Sequence, residues 1–208
     1  MDVQSNRDQV RSDQVIVRVG IGSSKHKVVG VEQIHWNKLY NVGNRNHVSQ
    51  NDVVLLELNE TLEFSAYVGW VCIPNTRLDV RTERSGKVSG YGLTNREHWW
   101  KFWHDKEYPS SDLRTDTLKI NKYSNLGIYS GQSETQQLAD GDSGAGFVVQ
   151  ENQVHYAYGI FSSRTIEKPP YKNYYVALNS YCDRLLNTTE NKVRCVDPTK
   201  MSSTCDEG

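Results

Sequence analysis

The sequence lacks a charge excess of either sign and lacks any long hydrophobic run. Its 208 residues carry 24 Lys and Arg against 25 Asp and Glu, a formal net charge of −1. Such a balance provides no basic surface for nucleic acid or for an anionic membrane. No apolar run approaches the roughly 20 residues that span a bilayer. We therefore expect neither nucleic acid nor a membrane among the partners of this chain.

The first residues also lack the apolar core of a signal peptide. Residues 1–14, MDVQSNRDQVRSDQ, are polar and contain no cleavage site. An even number of cysteines and two N-glycosylation patterns, at Asn59 and Asn187, nevertheless favour an extracellular, secreted protein. The four cysteines allow three pairings, among which the sequence does not choose.

Short runs rich in β-branched residues predict strands along most of the chain. Turn-forming residues separate them at irregular intervals, which is typical of an all-β sandwich or barrel. Strands are expected at residues 15–19, 27–36, 52–58, 88–91, 117–120, 146–149, 154–161 and 174–178. One helix is expected, from about Ala177 to Leu186. The polar tail after it, residues 187–208, is expected to be loosely structured, with a small loop closed by Cys195 and Cys205.

An aromatic segment interrupts the strand pattern at residues 95–112, NREHWWKFWHDKEYPSSD. Two interpretations stay open. The segment is either a surface loop that folds its aromatic side chains onto the body, or an exposed recognition patch, since Trp and Phe are enriched where proteins bind one another. The aromatic residues concerned are Trp99, Trp100, Phe102 and Trp103.

The most specific motif is GDSGAG at residues 141–146. A serine hydroxyl is a weak nucleophile that needs an adjacent base, and acyl transfer also needs donors aimed at the developing oxyanion. Gly141 lets the backbone turn so that its own N–H and that of Ser143 can point to one spot. Calcium binding is not expected, because Gly144 and Ala145 stand where an EF-hand loop needs a ligand and then its glycine. No metal or cofactor is expected.

Five further segments resemble motifs of the trypsin/chymotrypsin family of serine endopeptidases. They follow one another along this chain in the order that the motifs have in the family. They are residues 51–58 (NDVVLLEL), 71–74 (VCIP), 88–92 (VSGYG), 158–163 (YGIFSS) and 175–183 (YVALNSYCD). The resemblance extends from about Val15 to Leu186. It implies an all-β fold of two antiparallel Greek-key β-barrels, the N-terminal one incomplete, with a short C-terminal helix. The expected organisation is a polar segment 1–14, a partial first barrel 15–75, a second barrel with the helix 76–186, and a cysteine-containing tail 187–208.

The same resemblance implies a site for peptide-bond hydrolysis. Asp52 would orient an imidazole, Ser143 would attack the peptide carbonyl, and the N–H groups of Gly141 and Ser143 would form the oxyanion hole. The partners implied are protein or peptide substrates, with protease inhibitors as a further class.

The histidine of this arrangement is missing from its expected place. In the family it lies roughly 45 residues before the aspartate, and the corresponding position here is near Arg7, where the sequence has no histidine. His35 is the nearest candidate, but residues 31–36 resemble the family's non-catalytic I-x-H-P-x-Y strand end. The remaining histidines fit the role no better: His26, His47, His98, His104 and His155.

The I-V-G-G terminus that activation liberates in the family is also missing. Asp142 would lack that amine, and would shift its pKa, take another donor or deform the loop. We favour a truncated form of a larger protease, because the missing features form one block whereas Asp52 and Ser143 remain. The alternatives are a catalytically inactive homologue that binds proteins or peptides, and a chain that does not fold stably.

The expected substrate-binding residues depart from the family as well. They are Gln137, Ser162, Ser163, Arg164 and Asn173. Gln137 stands at the pocket base in place of the aspartate that attracts Lys or Arg, so cleavage after basic residues is not expected. Arg164 either narrows the pocket, favours acidic or polar side chains, or points to solvent. Cysteines of two family bridges are absent, for example at Ala139, as in divergent invertebrate members, nematode ones among them.

Overall fold

The computed structural model describes residues 10–21, 26–40, 51–95, 107–133, 138–165 and 170–200. The chain forms two compact units. The smaller comprises Met1–Lys38 and Val53–Trp70, and the larger comprises Leu39–Asp52 and Val71–Gly208.

The smaller unit contains one antiparallel sheet of three strands in the order β1-β2-β3. The strands are β1 (Ile16–Val19), β2 (Lys27–Trp36) and β3 (Val54–Leu58). Val29 and Val31, on the inward face of β2, are buried. Alternating β-branched residues favour such a half-buried strand, because successive side chains point to opposite faces.

The larger unit is built on a seven-stranded sheet of order β7-β4-β10-β11-β12-β9-β8, with a separate β5–β6 pair. All neighbouring strands run antiparallel. The bounds are β4 (Arg84–Gly90), β5 (Leu93–Asn95), β6 (Glu107–Pro109), β7 (Arg114–Ile120), β8 (Lys122–Ser124), β9 (Ile128–Ser133), β10 (Gly146–Glu151), β11 (Val154–Arg164) and β12 (Tyr171–Ala177).

The seven-stranded sheet curls into a half-barrel, so that β9 approaches β7. The N–H of Asn121 donates to the carbonyl of Ser130 at 3.2 Å. Gly131 is required at this crossing, because a Cβ there would overlap the backbone carbonyl of Lys119. The core inside the curl is aromatic, with Tyr129, Phe147 and Tyr175 almost fully buried. The sheets and the short helix confirm the all-β class predicted from the sequence.

The C-terminal helical segment begins as a 3₁₀ helix, Leu178–Tyr181, and continues as α1, Cys182–Thr188. The described part of the tail is not loose: the N–H of Val196 donates to the carbonyl of Ile73, and Val196 itself is buried. A disulfide joins Cys182 to Cys195, so the predicted Cys195–Cys205 loop is wrong. The sequence spacing misled us, because Cys195 turns back to the helix.

The aromatic segment lies mostly outside the described residues. Its flanking strands, β5 and β6, pair antiparallel from Leu93 opposite Pro109 to Asn95 opposite Glu107. Trp99, Trp100, Phe102 and Trp103 fall outside the described ranges. Within those ranges, no helix has the length and apolar character needed to cross a membrane.

Candidate functional site

The segment that carries Ser143 is a tight turn just before β10. Gly141 and Gly144 adopt positive φ angles, +91° and +92°, a conformation that side chains disfavour. Ser143 is exposed at this turn. A Cβ on Gly141 would also come within 3.3 Å of the Cα of Gly92. The glycines of the GDSG motif are therefore needed for the shape of the turn.

The turn leaves two backbone N–H groups available. The N–H of Asp142 donates to the carbonyl of Ala139 at 3.1 Å, and that of Gly144 donates to the carbonyl of Phe161 at 2.9 Å. The N–H groups of Gly141 and Ser143 donate to no acceptor among the described residues. Two such N–H groups in one turn can donate hydrogen bonds to a bound oxygen that carries negative charge.

The carboxylate of Asp142 is held by two backbone N–H groups. Its Oδ1 accepts from Gly92 at 2.8 Å and its Oδ2 accepts from Ala139 at 2.9 Å. A Cβ on Gly90 or on Gly92 would overlap this carboxylate. From the sequence we expected Asp142 to shift its pKa, take another donor or deform the loop. In the structure the carboxylate takes other donors.

Asp52 is partly buried in the larger unit, where its carboxylate has a dedicated donor. The hydroxyl of Ser162 donates to its Oδ2 at 2.7 Å. The neighbouring Asn51 is tied by its side chain, whose Oδ1 accepts from the Tyr181 hydroxyl at 3.1 Å and whose Nδ2 donates to the carbonyl of Leu39 at 3.1 Å. Burial raises the pKa of Tyr181, and the charge of Asp52 adds to that rise, so this phenol stays a donor.

Strand β11 connects these two parts of the site. Phe161 bonds the Ser143 turn through both its N–H and its carbonyl, and the next residue, Ser162, bonds Asp52. The pairing of β11 with β12 shifts register between Phe161 and Ser163. Such a bulge changes the direction in which side chains point. Here the consecutive residues Phe161 and Ser162 bond the turn of Ser143 and the carboxylate of Asp52, respectively.

Comparison with known proteins decides the family. A sequence model of the trypsin family matches residues 3–185. The chain belongs to the trypsin family. This trypsin-family chain is similar to human transmembrane protease serine 5, with 26% identity over 184 residues that cover 81% of the chain and 37% of the human protein. The chain thus spans little more than a third of the length of that relative.

Two of the expected pocket residues of this trypsin-family chain lie side by side. Arg164 of β11 is the register partner of Asn173 of β12. Asn173 is 3% exposed, and its Oδ1 accepts from the N–H of Leu138 at 3.3 Å. Arg164 does not extend into solvent: its side chain is 16% exposed, and its Nη2 lies 3.4 Å from Oδ1 of Asp140. Ser163, which directly precedes Arg164, is half-buried, and Gln137 lies outside the described residues.

Among the described histidines, none lies at Ser143 within the larger unit. His155 pairs with Gln150, at the end of β10 away from Ser143 and roughly 13 Å along the strand from Gly146. His35 belongs to the smaller unit, where its Nε2 lies 3.1 Å from Oε2 of Glu57. His26 is exposed there. His47, His98 and His104 lie outside the described ranges.

Of the contacts of the site that were not predicted from the sequence, three join side chains or segments discussed above. They are the Gly92 amide on Asp142, the Asp140–Arg164 pair and the Tyr181–Asn51 hydrogen bond. Gly92, the second glycine of the VSGYG segment, was the feature of the sequence that could have indicated its contact with Asp142. The other two contacts join residues 24 and 130 positions apart, and no local pattern indicates them.

Proposed function

We propose that this chain is a serine endopeptidase that hydrolyses peptide bonds through Ser143, with Asp52 as the orienting carboxylate. The observation that supports it most is the double anchoring by β11. Phe161 holds the turn of Ser143 and Ser162 holds Asp52, so both groups are fixed by one strand. The likeness to a human protein named as a serine protease also supports it.

In this mechanism the hydroxyl oxygen of Ser143 attacks the carbonyl carbon of a protein or peptide substrate. The carbonyl oxygen becomes negatively charged and accepts hydrogen bonds from the N–H groups of Gly141 and Ser143. The serine proton would pass to an imidazole that Asp52 orients, and then to the leaving amine. No histidine described in the larger unit takes this place. Water hydrolyses the resulting acyl ester. Protease inhibitors would occupy the same turn.

A fluorophosphonate probe tests the nucleophile directly, because it forms an ester only with an activated serine. We expect mass spectrometry to locate the adduct on Ser143. Ser143→Ala should abolish labelling, whereas Ser180→Ala, which removes another exposed hydroxyl of the same unit, should leave it unchanged. A cooperatively folded chain that never labels at Ser143 would contradict the proposed activity.

A second candidate function is a catalytically inactive homologue that binds proteins or peptides. The placement of the described histidines favours it: His155 of β11 lies opposite Gln150, at the end of β10 away from Ser143, and His35 contacts Glu57. A serine site without its histidine retains only about 10³–10⁴-fold catalysis over water. Peptide binding without labelling would support this second function over the first.

We also propose an extracellular location. The disulfide between Cys182 and Cys195 and a further disulfide at Cys72 are stable in oxidising compartments. Asn59 and Asn187, which begin the two glycosylation patterns, are both exposed. Passage through a secretory pathway should therefore add glycans at both residues. Asn59→Gln and Asn187→Gln should each lower the mass of the protein by one glycan that an endoglycosidase can remove. Absence of glycans at both would contradict the location.

A further inference from the structure

Arg164 is a largely buried cation with an incomplete set of partners. Its side chain is 16% exposed, and its one polar contact within the described part of the chain joins Nη2 to Oδ1 of Asp140 at 3.4 Å. The Nε of Arg164 is buried and has no hydrogen-bond partner among the described residues. A guanidinium presents five donors in a planar fork, and removing them from water without acceptors is unfavourable. The enclosed Nε is out of reach of a ligand, but the two Nη groups, with that one long contact between them among the described residues, have capacity for a further acceptor.

Asp140 compensates Arg164 only weakly. The Asp140 side chain is 75% exposed, and the contact is a single long one. A pair whose carboxylate is this exposed contributes little, because water screens the charge and the side chains lose freedom when they pair. A carboxylate from a ligand can therefore replace Asp140 at small cost, and can engage the guanidinium through two parallel hydrogen bonds.

Arg164, whose guanidinium can bind a further acceptor, lies against the segment that carries Ser143. The segment that carries the serine is attached to the sheet on both sides of Asp140: the N–H of Leu138 bonds Asn173 of β12, and the N–H of Gly144 bonds Phe161 of β11. Arg164 is the register partner of Asn173 and contacts this segment between the two attachments. Its guanidinium thus meets the segment three residues before Ser143.

We propose that Arg164 selects peptides whose residue bearing the attacked carbonyl is aspartate or glutamate. This inference rests on the proposed function, since it takes the N–H groups of Gly141 and Ser143 as the place of the carbonyl oxygen. Asp140 directly precedes Gly141, so a side chain next to that carbonyl comes within reach of Arg164. A Lys or Arg side chain at the same place is disfavoured by like charge.

The test measures binding, so that it is independent of turnover. Three tetrapeptides, acetylated and amidated at their ends and differing only in a C-terminal Glu, Gln or Lys, are titrated into the full chain by calorimetry. We expect the Glu peptide to bind roughly tenfold tighter than the Gln peptide, the value of one charge-assisted contact. The Lys peptide should bind weakest.

Variants assign the preference to Arg164. Arg164→Gln should abolish the discrimination between Glu and Gln, and Arg164→Lys should retain part of it. Asp140→Asn, at an exposed position, should raise the affinity for the Glu peptide by removing its competitor. Arg194→Gln removes an exposed arginine elsewhere in the larger unit and should change nothing.

Equal affinity for the Glu and Gln peptides, no binding of the Glu peptide at millimolar concentration, or a preference that survives Arg164→Gln would overturn the inference. Fluorophosphonate labelling is scored separately. Labelling of Ser143 without a Glu preference leaves the proposed function intact and rejects this inference. A Glu preference without labelling rejects the catalytic proposal and retains Arg164 as a selector of acidic peptides.

Discussion

The carboxylate of Asp142 holds the turn of Ser143 through two backbone N–H groups, from Gly92 and Ala139. Both donors come from backbone, so the arrangement depends on close approach of two chain segments. Gly90 and Gly92 permit that approach because neither carries a Cβ. The orientation of the Ser143 and Gly141 N–H groups follows from this contact.

Gly92→Ala should displace the Asp142 carboxylate, because the added Cβ would overlap it. Two backbone N–H groups would then lose their acceptor, and we expect the free energy of unfolding to fall by about 1–3 kcal/mol. The rate of fluorophosphonate labelling at Ser143 should fall with it. Urea unfolding and labelling kinetics measure the two effects.

Gly69→Ala is the control for that variant, because nothing lies within 4 Å of a Cβ added there. It should leave stability and labelling nearly unchanged. Wild-type labelling in Gly92→Ala would show that the Asp142 contact does not shape the turn.

At this scale the sequence predicts residues whose role depends on local backbone geometry. Gly141 has the positive φ that its motif indicates. Contacts between distant segments could not be predicted from the sequence. Ser162 was predicted for substrate binding, yet its hydroxyl donates to Asp52, 110 positions away. Nothing in a run of serines indicates which hydroxyl reaches a carboxylate.

Among the elements, β7 and β9 determine how tightly the larger sheet curls. They are not ladder neighbours, yet Gly131 of β9 lies against the carbonyl of Lys119 of β7. No flexible side chain can move aside there, because the neighbour is backbone. The curl therefore depends on a single missing Cβ.

Gly131→Ala should separate β9 from β7 and lower the free energy of unfolding by more than about 3 kcal/mol, and the thermal midpoint with it, since overpacking against backbone cannot relax. Gly146→Ala is the matched strand control, because its Cβ would lie at an ordinary 3.6 Å from Cγ2 of Val148. Thermal unfolding followed by circular dichroism compares the two. Equal midpoints would refute the importance of this crossing.

Strand prediction succeeded where composition and pairing agree. The expected strand 27–36 coincides with β2, and residues 146–149 and 154–161 fall within β10 and β11. Strand β9, with the sequence IYSGQS, was missed, because Gly, Ser and Gln have low strand preference. It forms through six register pairs with β12, which no local pattern shows.

The whole larger unit has a core rich in buried tyrosine. Burial raises the pKa of Tyr129, Tyr158 and Tyr175 above that of a free phenol. For Tyr129 the pKa rises from 10.0 to about 12, mainly through burial. Each phenol is thus neutral in the folded chain over a pH range where the unfolded chain ionises.

Stability should therefore fall between pH 10 and pH 12. Below the unfolded pKa both states are neutral and the contribution is complete; above it the unfolded state releases its proton first, so the contribution is lost as pH rises through the folded pKa. The pH dependence of the urea midpoint measures this. Tyr129→Phe should flatten the alkaline slope, although it also removes the acceptor of the Leu78 N–H.

Tyr67→Phe is the matched control, because Tyr67 is 64% exposed. It should leave the alkaline slope unchanged. A slope that is the same in Tyr129→Phe as in the wild type would contradict the contribution of this buried phenol.

For the molecule as a whole, the fold class was predictable because many strand runs and ordered motifs agree. The course of the tail was not. Residues after α1 are polar, yet Val196 bonds Ile73 and Asn75, and Cys195 returns to Cys182. One buried valine in a polar stretch carries too little periodicity to predict such a return.

The bulge of β11 has a consequence for how chains of this kind can vary in length. Insertions in surface loops are tolerated well, but one residue lost at the bulge would restore a regular ladder with β12. Successive side chains would then alternate, and the hydroxyl that holds Asp52 would be lost or turned to the opposite face. A descendant could keep its serine, its glycines and its aspartate and still lose their common support. The spacing within this strand therefore matters to the site as much as the residues it holds.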